Sequence, residues 1–192
     1  MKSSPRYVVP HRRRREGKTD YKGRLRLLKS GKDRFVVRRS LNGVTCQIVR
    51  YGPEGDTTLA SANSLELKKY GYKAHTGNIP AAYLTGYLCG IRAKKAKVEQ
   101  AVADMGLHTS VKGSRLYAAL KGAVEAGLSV PHSDDILPPK DRAEGKHIAD
   151  YAAALKKNNP DAYKRQFAGY EKGNFNPETL PKHVSEVKAK LK

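Results

Sequence analysis

The sequence predicts an α/β fold: a layered mixed sheet flanked by helices, with a basic N-terminal arm before it and a helical C-terminal extension after it. Three observations carry that expectation. Short β-rich runs between Arg34 and Ala62 are joined by turn residues. Two stretches, opening near Asn78 and Gly113, repeat apolar or small residues at helical spacing. The first 40 of the 192 residues hold 15 of the 38 Lys and Arg, against 3 acids, a composition that builds no core of its own. The boundaries follow: 1–33 for the arm with a short helix, 34–130 for the α/β domain and 131–192 for the extension.

Pro5 and Pro10 disfavour helix before His11, so Met1–Lys18 is expected to be extended. Thr19 or Asp20 is placed to cap a short helix over Tyr21–Lys29. Tyr21, Leu25 and Leu28 line one side of it, and Arg24 and Arg26 turn outward. Ser30-Gly31-Lys32 ends it. Arg34–Ser40 reads as a strand. Val44–Tyr51 reads as a second, with Val44, Cys46 and Ile48 on one face and Thr45, Gln47 and Val49 on the other. Leu41-Asn42-Gly43 is the hairpin between them, because Asn-Gly readily takes positive φ. Thr57–Ala62 completes an antiparallel meander after the turn at Gly52–Asp56.

Asn78, as N-cap or just before it, and Pro80 in the first turn open a helix that runs to Ala96. Ala81, Ala82, Gly86, Cys89 and Gly90 are small enough to bring it close to a sheet, and Arg92, Lys94, Lys95 and Lys97 suit its C-terminal dipole. Residues 98–105 are ambiguous; a fourth strand over Ala101–Met105, ended by Gly106, is preferred. Gly113–Gly127 is a second amphipathic helix, with Leu116, Leu120, Val124 and Leu128 at four-residue spacing and Gly127 as its stop. The Pro- and acid-rich residues 129–140 mark a boundary. Past it, a helical stretch reaches Leu155, residues 157–163 break it, and a last short helix occupies the end. This extension buries little alone and is expected to lie against the body or a partner.

The net charge of +20 makes the free chain repel itself, so a polyanion is the natural partner. The charge is local: +12 in residues 1–40, +5 in 41–130 and +3 in 131–192. No apolar run approaches the roughly 20 residues that a membrane-spanning helix needs, and no apolar block follows Met-Lys-Ser-Ser-Pro-Arg as in a secretory signal. A membrane partner is therefore not expected. Cys46 and Cys89 stand alone, which argues against a disulfide framework or zinc site and for a cytoplasmic protein.

Catalytic signatures are missing. There is no P-loop, no GxSxG and no HExxH. His132, Asp134, Asp135, His147 and Asp150 form the best metal-like cluster, but they straddle a Pro-rich loop without the i, i+4 spacing of a helical metal site. No enzyme, cofactor or metal is expected.

The order of segments carries more. Residues 5–40, then "TLASA" at 58–62, "GNIPAAYLTGYLCG" at 77–90 and "GSRLYAALKGAVEAGLSVPHS" at 113–133 resemble the 5S ribosomal RNA-binding family of the large ribosomal subunit. This is universal family eighteen in its archaeal form, whose eukaryotic counterpart is large-subunit protein five. The resemblance implies an α/β domain of the translational-machinery type, with a likeness to ribonuclease H. It implies binding to 5S rRNA in the central protuberance, with large-subunit rRNA, a neighbouring 5S-binding ribosomal protein and other large-subunit proteins as further partners, the last through the C-terminal extension. One departure stands out. The family's first hairpin commonly reads Arg-x-Ser/Thr-Asn-Lys, whereas here Arg38-Arg39-Ser40-Leu41-Asn42-Gly43 lacks the lysine.

With that partner, the expected RNA-binding residues fall into groups. Arg6, Arg12, Arg13, Arg14, Arg15 and Lys18 would grip phosphates, with Tyr7 and Tyr21 stacking on unpaired bases. Arg24, Arg26, Lys29 and Lys32 would follow along a backbone, and Arg34, Arg38, Arg39 and Asn42 would continue from the first strand and hairpin. Gln47, Ser61 and Asn63 would offer hydrogen bonds from the sheet, unless they merely decorate a solvated face. Ser114 and Arg115 would present a helix N-terminus to phosphate, unless Arg115 pairs with Glu125 or a tail carboxylate. The alternatives are an RNA chaperone outside the ribosome, or a nuclease-like enzyme holding magnesium at Asp104 or Asp134/Asp135.

Overall fold

The computed structural model describes residues 5–191; the rest of the expected arm, residues 1–4, lies outside the described residues. Within the arm, Arg12–Arg15 closes one helical turn, α1, where extended chain is expected. Pro10 restricts only what precedes His11, and an Arg12–Glu16 ion pair at i, i+4 (2.8 Å) favours the turn. The next helix, α2, spans Tyr21–Leu28. Its cap is Asp20, whose Oδ1 accepts from the Gly23 N–H at 3.0 Å.

The sheet holds β1 (Asp33–Arg39), β2 (Val44–Arg50), β3 (Thr57–Asn63) and β4 (Ala101–Asp104) in the order β3-β2-β1-β4. The first three strands are the expected antiparallel meander, and β4 lies parallel to β1. A parallel neighbour needs a crossover. Helix α3 (Ile79–Lys95) supplies it, capped by Asn78 Oδ1, which accepts from the Ala81 N–H at 2.8 Å. The β1–β2 hairpin forms without the left-handed residues that Asn42-Gly43 suggests. Neighbours hold it instead: Thr76 Oγ1 donates to the Asn42 carbonyl (2.7 Å), and the Val44 N–H donates to Ser64 Oγ (3.0 Å). A 3-10 helix over Ser64–Tyr70 follows β3, set by a capping box between Asn63 and Glu66 that sequence reading passed over.

One sheet face is sealed. Phe35, Val37, Val44, Cys46, Ile48 and Ala62 are at most 1% exposed beneath α3 and α4 (Arg115–Glu125). Burial pushes the Cys46 thiol up, and that of Cys89 to about 12, so both behave as small core residues. The glycines of α3 serve a different contact from the one expected. Gly86 and Gly90 face α4, not the sheet. A Cβ at Gly86 would stand 1.9 Å from the Ala119 carbonyl oxygen, and one at Gly122 would stand 2.0 Å from that of Tyr83. The two backbones touch through these positions. Gly86→Ala should therefore destabilise the fold by about 1–3 kcal/mol through overpacking, read as a lower thermal midpoint; an unchanged midpoint would mean that the helices separate freely.

The extension adds α5 (Lys140–Glu144), α6 (Lys146–Asn158), α7 (Pro160–Lys172) and α8 (Leu180–Lys190). Residues 157–163 do break the helical stretch, as expected: α6 ends at Asn158, Asn159 is non-helical, and a further helix, α7, starts at Pro160. Asn159 Oδ1 accepts from the Ala162 N–H at 3.0 Å and Pro160 occupies the first turn, which repeats the Asn78–Pro80 device. Leu180, Val184 and Val187 of α8 are at most 1% exposed and join the same core as the sheet. Lys188 fastens α8 down. Its ammonium donates to Glu125 at 2.8 Å and to the Tyr83 hydroxyl, and sits 4.9 Å from the centre of the Tyr87 ring. Burial and the adjacent Glu125 carboxylate raise the Tyr83 hydroxyl to about 12, so it stays protonated and donates to Glu125 at 2.5 Å.

Candidate nucleic-acid interface

The arm and the sheet meet at a cleft of about 440 Å³. Arg13, Lys18, Arg24, Arg26, Arg34 and Arg38 line it, with Asp20 and Asp104 as the acids. Its floor is an ion-pair chain. Asp56, in the β2–β3 turn, accepts from Arg24 through both oxygens at 2.9 Å and from Arg34 at 2.6 Å. Arg34 also donates to Asp104 at 2.7 Å, and Arg38 donates to the other Asp104 oxygen at 2.9 Å. Arg38 further holds the Asp104 carbonyl at 2.7 Å, and the Gly106 N–H donates to the carboxylate at 2.9 Å. Burial alone would push the Asp104 carboxyl up; the hydrogen bond and charge of Arg38, then Arg34 and the Gly106 amide, outweigh it and hold the group below the ordinary range.

Two expectations change here. Arg24 does not turn outward: it pins α2 to the β2–β3 turn. Arg34 is only 5% exposed, between Asp56 and Asp104, and so has no surface to offer a nucleic acid. The same chain removes Asp104 as a magnesium ligand, because guanidinium and amide donors already surround its oxygens. Asp134, 99% exposed at the side chain, has only His132 nearby, and no group of three potential ligand side chains occurs among the described residues.

Beyond the cleft, the second sheet face is partly open, with Val36 itself only 8% exposed. Register places Val36, Gln47 and Ser61 abreast, and Arg38, Thr45 and Asn63 abreast on the same side. Ser61 is exposed and Gln47 half-buried. Asn63 is partly engaged: its amide donates to Thr45 Oγ1 at 3.0 Å, and its carbonyl oxygen caps Leu65. Small Ala60 and Ala62 lie on the sealed face, where they serve packing rather than close approach of a ligand.

A match to known proteins decides the identity of this arrangement. The family model for ribosomal large subunit proteins 60S L5 and 50S L18 matches residues 5–103 and 92–133. The chain is also 52% identical over 191 residues to the large ribosomal subunit protein uL18 of Methanococcus maripaludis, covering 100% of this chain and 98% of that protein. The chain belongs to this ribosomal large-subunit family. It is thus a structural component of the translation machinery.

In this member of the large-subunit family, the arm's cations divide by partner. Glu16 pairs with Arg12 and with Lys18 at 2.9 Å, and Arg13 donates to Thr19 at 2.9 Å. Arg14 and Arg15 are exposed and meet no carboxylate among the described residues. Arg6 and Tyr7 are exposed before them, and Tyr21 packs on His11 with ring centres 5.2 Å apart. Lys29 and Lys32 are exposed beyond α2.

The hairpin and the α4 terminus come together through residues 76–77. Thr76 holds Asn42, and Arg115 donates to the Gly77 carbonyl at 2.7 Å rather than pairing with Glu125 or a tail carboxylate. Ser114 caps α4 by position but makes no cap hydrogen bond, and its buried hydroxyl has no partner among the described residues. Nearby, the exposed Arg39 donates its backbone N–H to His108 Nε2 at 3.3 Å. Burial, then the charges of Arg39, Arg38 and Arg115, lowers the His108 pKa and keeps the ring neutral enough to accept. Sequence reading missed Asp56 as the organiser of the cleft. Its partners lie 32 and 22 residues away, and no local pattern announces them.

Proposed function

We propose that the chain binds 5S rRNA and helps attach it to the large subunit in the central protuberance, beside large-subunit rRNA and a neighbouring 5S-binding ribosomal protein. The observation that carries this reading is the basic cleft between the arm and the open sheet face. Arg12–Arg15, Lys18 and Arg26 supply charge at one side, while Arg38, Gln47 and Ser61 supply fixed donors at the other. RNA duplexes are read by shape, phosphate and 2′-hydroxyl, and a charged arm next to a rigid polar sheet suits that kind of reading. Arg39 and Asn42 extend the surface and, with Arg38, stand in for the lysine that the family's hairpin usually carries, with the half-buried Arg115 beside them. Arg34 stays behind it as support. No catalytic step is assigned to the chain, and the outer faces of the extension remain for other large-subunit proteins.

A gel-shift titration tests the reading. Binding to 5S rRNA should be tight, at least 10-fold tighter than to unrelated RNAs of equal length, and should weaken steeply with salt because neutralised phosphates release counterions. Equal affinity for both RNAs would remove specific 5S recognition.

A further inference from the structure

The cleft between arm and sheet holds an acid that its own cations do not neutralise. Asp104 is enclosed by Arg34, Arg38 and the Gly106 amide. Asp20 is not. Its carboxylate pairs with no lysine or arginine among the described residues, although Arg13, Lys18 and Arg24 line the same cleft. The Gly23 N–H, 3.0 Å from Oδ1, is the one donor it meets among those residues. A carboxylate accepts at about four positions, so most of its capacity is open. Gly23 also gives the other oxygen its place: a Cβ there would stand 2.5 Å from Oδ2. Glycine is otherwise a poor residue within a helix.

The walls suit a flat ring. Leu27 and Met105 offer half-buried apolar surface. Two guanidinium groups are fixed by the fold itself: Arg13 Nε donates to Thr19 Oγ1 at 2.9 Å, and Arg24 donates to both oxygens of Asp56. Guanidinium planes stack on unpaired bases. The cleft, at about 440 Å³, falls within the range of about 300–1,000 Å³ that encloses a small ligand. A phosphate needs none of these walls, and the open carboxylate would repel it. A base with two adjacent N–H donors would instead be held by that carboxylate. Guanine has such an edge, with N1–H beside the N2 amino group. Adenine and cytosine set an acceptor beside their one amino group, and uracil sets its single N–H between two carbonyls.

We propose that this cleft takes one unpaired guanine of the bound RNA, and that Asp20 is the residue that selects it. The proposal rests on the RNA-binding reading above and adds a base preference that charge alone does not supply.

Short single strands test it apart from 5S rRNA. The full chain is titrated at low salt with a short oligouridine carrying G, A, C or inosine at its centre, and with the all-uridine strand. Wild type should bind the G strand about 10-fold more tightly than the A, C or all-uridine strand. Inosine, which lacks the N2 amino group, should fall between. Asp20→Asn keeps the helix cap, since asparagine caps as well as aspartate, but turns one acceptor into a donor. Its G preference should fall to within twofold, while the other strands bind as before or more tightly because a negative charge is gone. Gly23→Ala, which displaces Oδ2, should lose the preference too, with a thermal midpoint no lower than that of wild type. Equal wild-type affinity for all strands, or no measurable binding of any, would overturn the proposal. So would a preference kept by Asp20→Asn, or a loss in that variant shared equally by every strand, which would mark a merely structural role. A gel shift on 5S rRNA runs beside these titrations. If 5S and unrelated RNAs bound equally while the G preference held, the guanine site would stand and the 5S reading would fall. Specific 5S binding without the G preference would keep the 5S reading and sink the guanine site.

Discussion

Replacing Arg12–Arg15 with four glutamines should weaken 5S rRNA binding roughly 100- to 1000-fold near physiological salt. Each phosphate contact contributes about 0.7 to 0.9 to the slope of log affinity against log salt, so losing four should flatten that slope by about 3. The substitution isolates charge from structure. α1 is exposed on all four residues, buries nothing, and glutamine keeps a comparable helix propensity. The thermal midpoint should hardly move, because Arg12–Glu16 is a surface pair worth little. Arg14 and Arg15, with no carboxylate among the described residues, should account for most of the loss. Filter binding over a salt series gives both numbers. A variant with wild-type slope would show that the arm makes no phosphate contact.

Asp104→Asn should cost the fold about 3–5 kcal/mol, the usual penalty for removing one partner of a buried ion pair. The carboxylate is 7% exposed and lies between two guanidinium groups, one of them equally buried. Asparagine would leave Arg34 charged with only Asp56 to meet it. The pH dependence has a fixed sign. The folded Asp104 carboxyl sits below its ordinary value, so its contribution is complete above the unfolded pKa of about 3.9 and disappears as pH falls through the folded one. Urea midpoints of wild type and variant should therefore differ widely at pH 7 and converge in acid. Equal midpoints at pH 7 would mean that the ion-pair chain does not support the cleft. Since β1 and β4 meet here, the same variant should also weaken RNA binding by loosening Arg38.

The elements that read clearly in the sequence carry their own instructions. The β1–β2–β3 meander has alternating faces and short turns, α3 has its Asn-and-Pro start, and α4 has apolar residues every fourth position. The misreadings share a different cause. Gly86 and Gly90 show only that a close approach exists, and the spatial neighbour decides whether it is a sheet or a helix. Residues 157–163 break α6 as expected, and the same Asn159 also caps a new helix, α7, which a breaker pattern alone does not announce. For the candidate interface, the charge of the arm was legible residue by residue, whereas the division of labour within it was not. Arg24 and Arg34 look like Arg26 and Arg38 in sequence. Asp56 and Asp104, far along the chain, assign the first two to the fold and leave Arg26 and part of Arg38 facing the cleft.

Photo-crosslinking of intact large subunits, followed by mapping of the joined peptides and nucleotides, tests the central claim most directly. Peptides covering residues 6–39 and 45–63 should be joined to 5S rRNA. If those peptides are joined only to other rRNA, or to none, the arm and the open sheet face are not the 5S-binding surface.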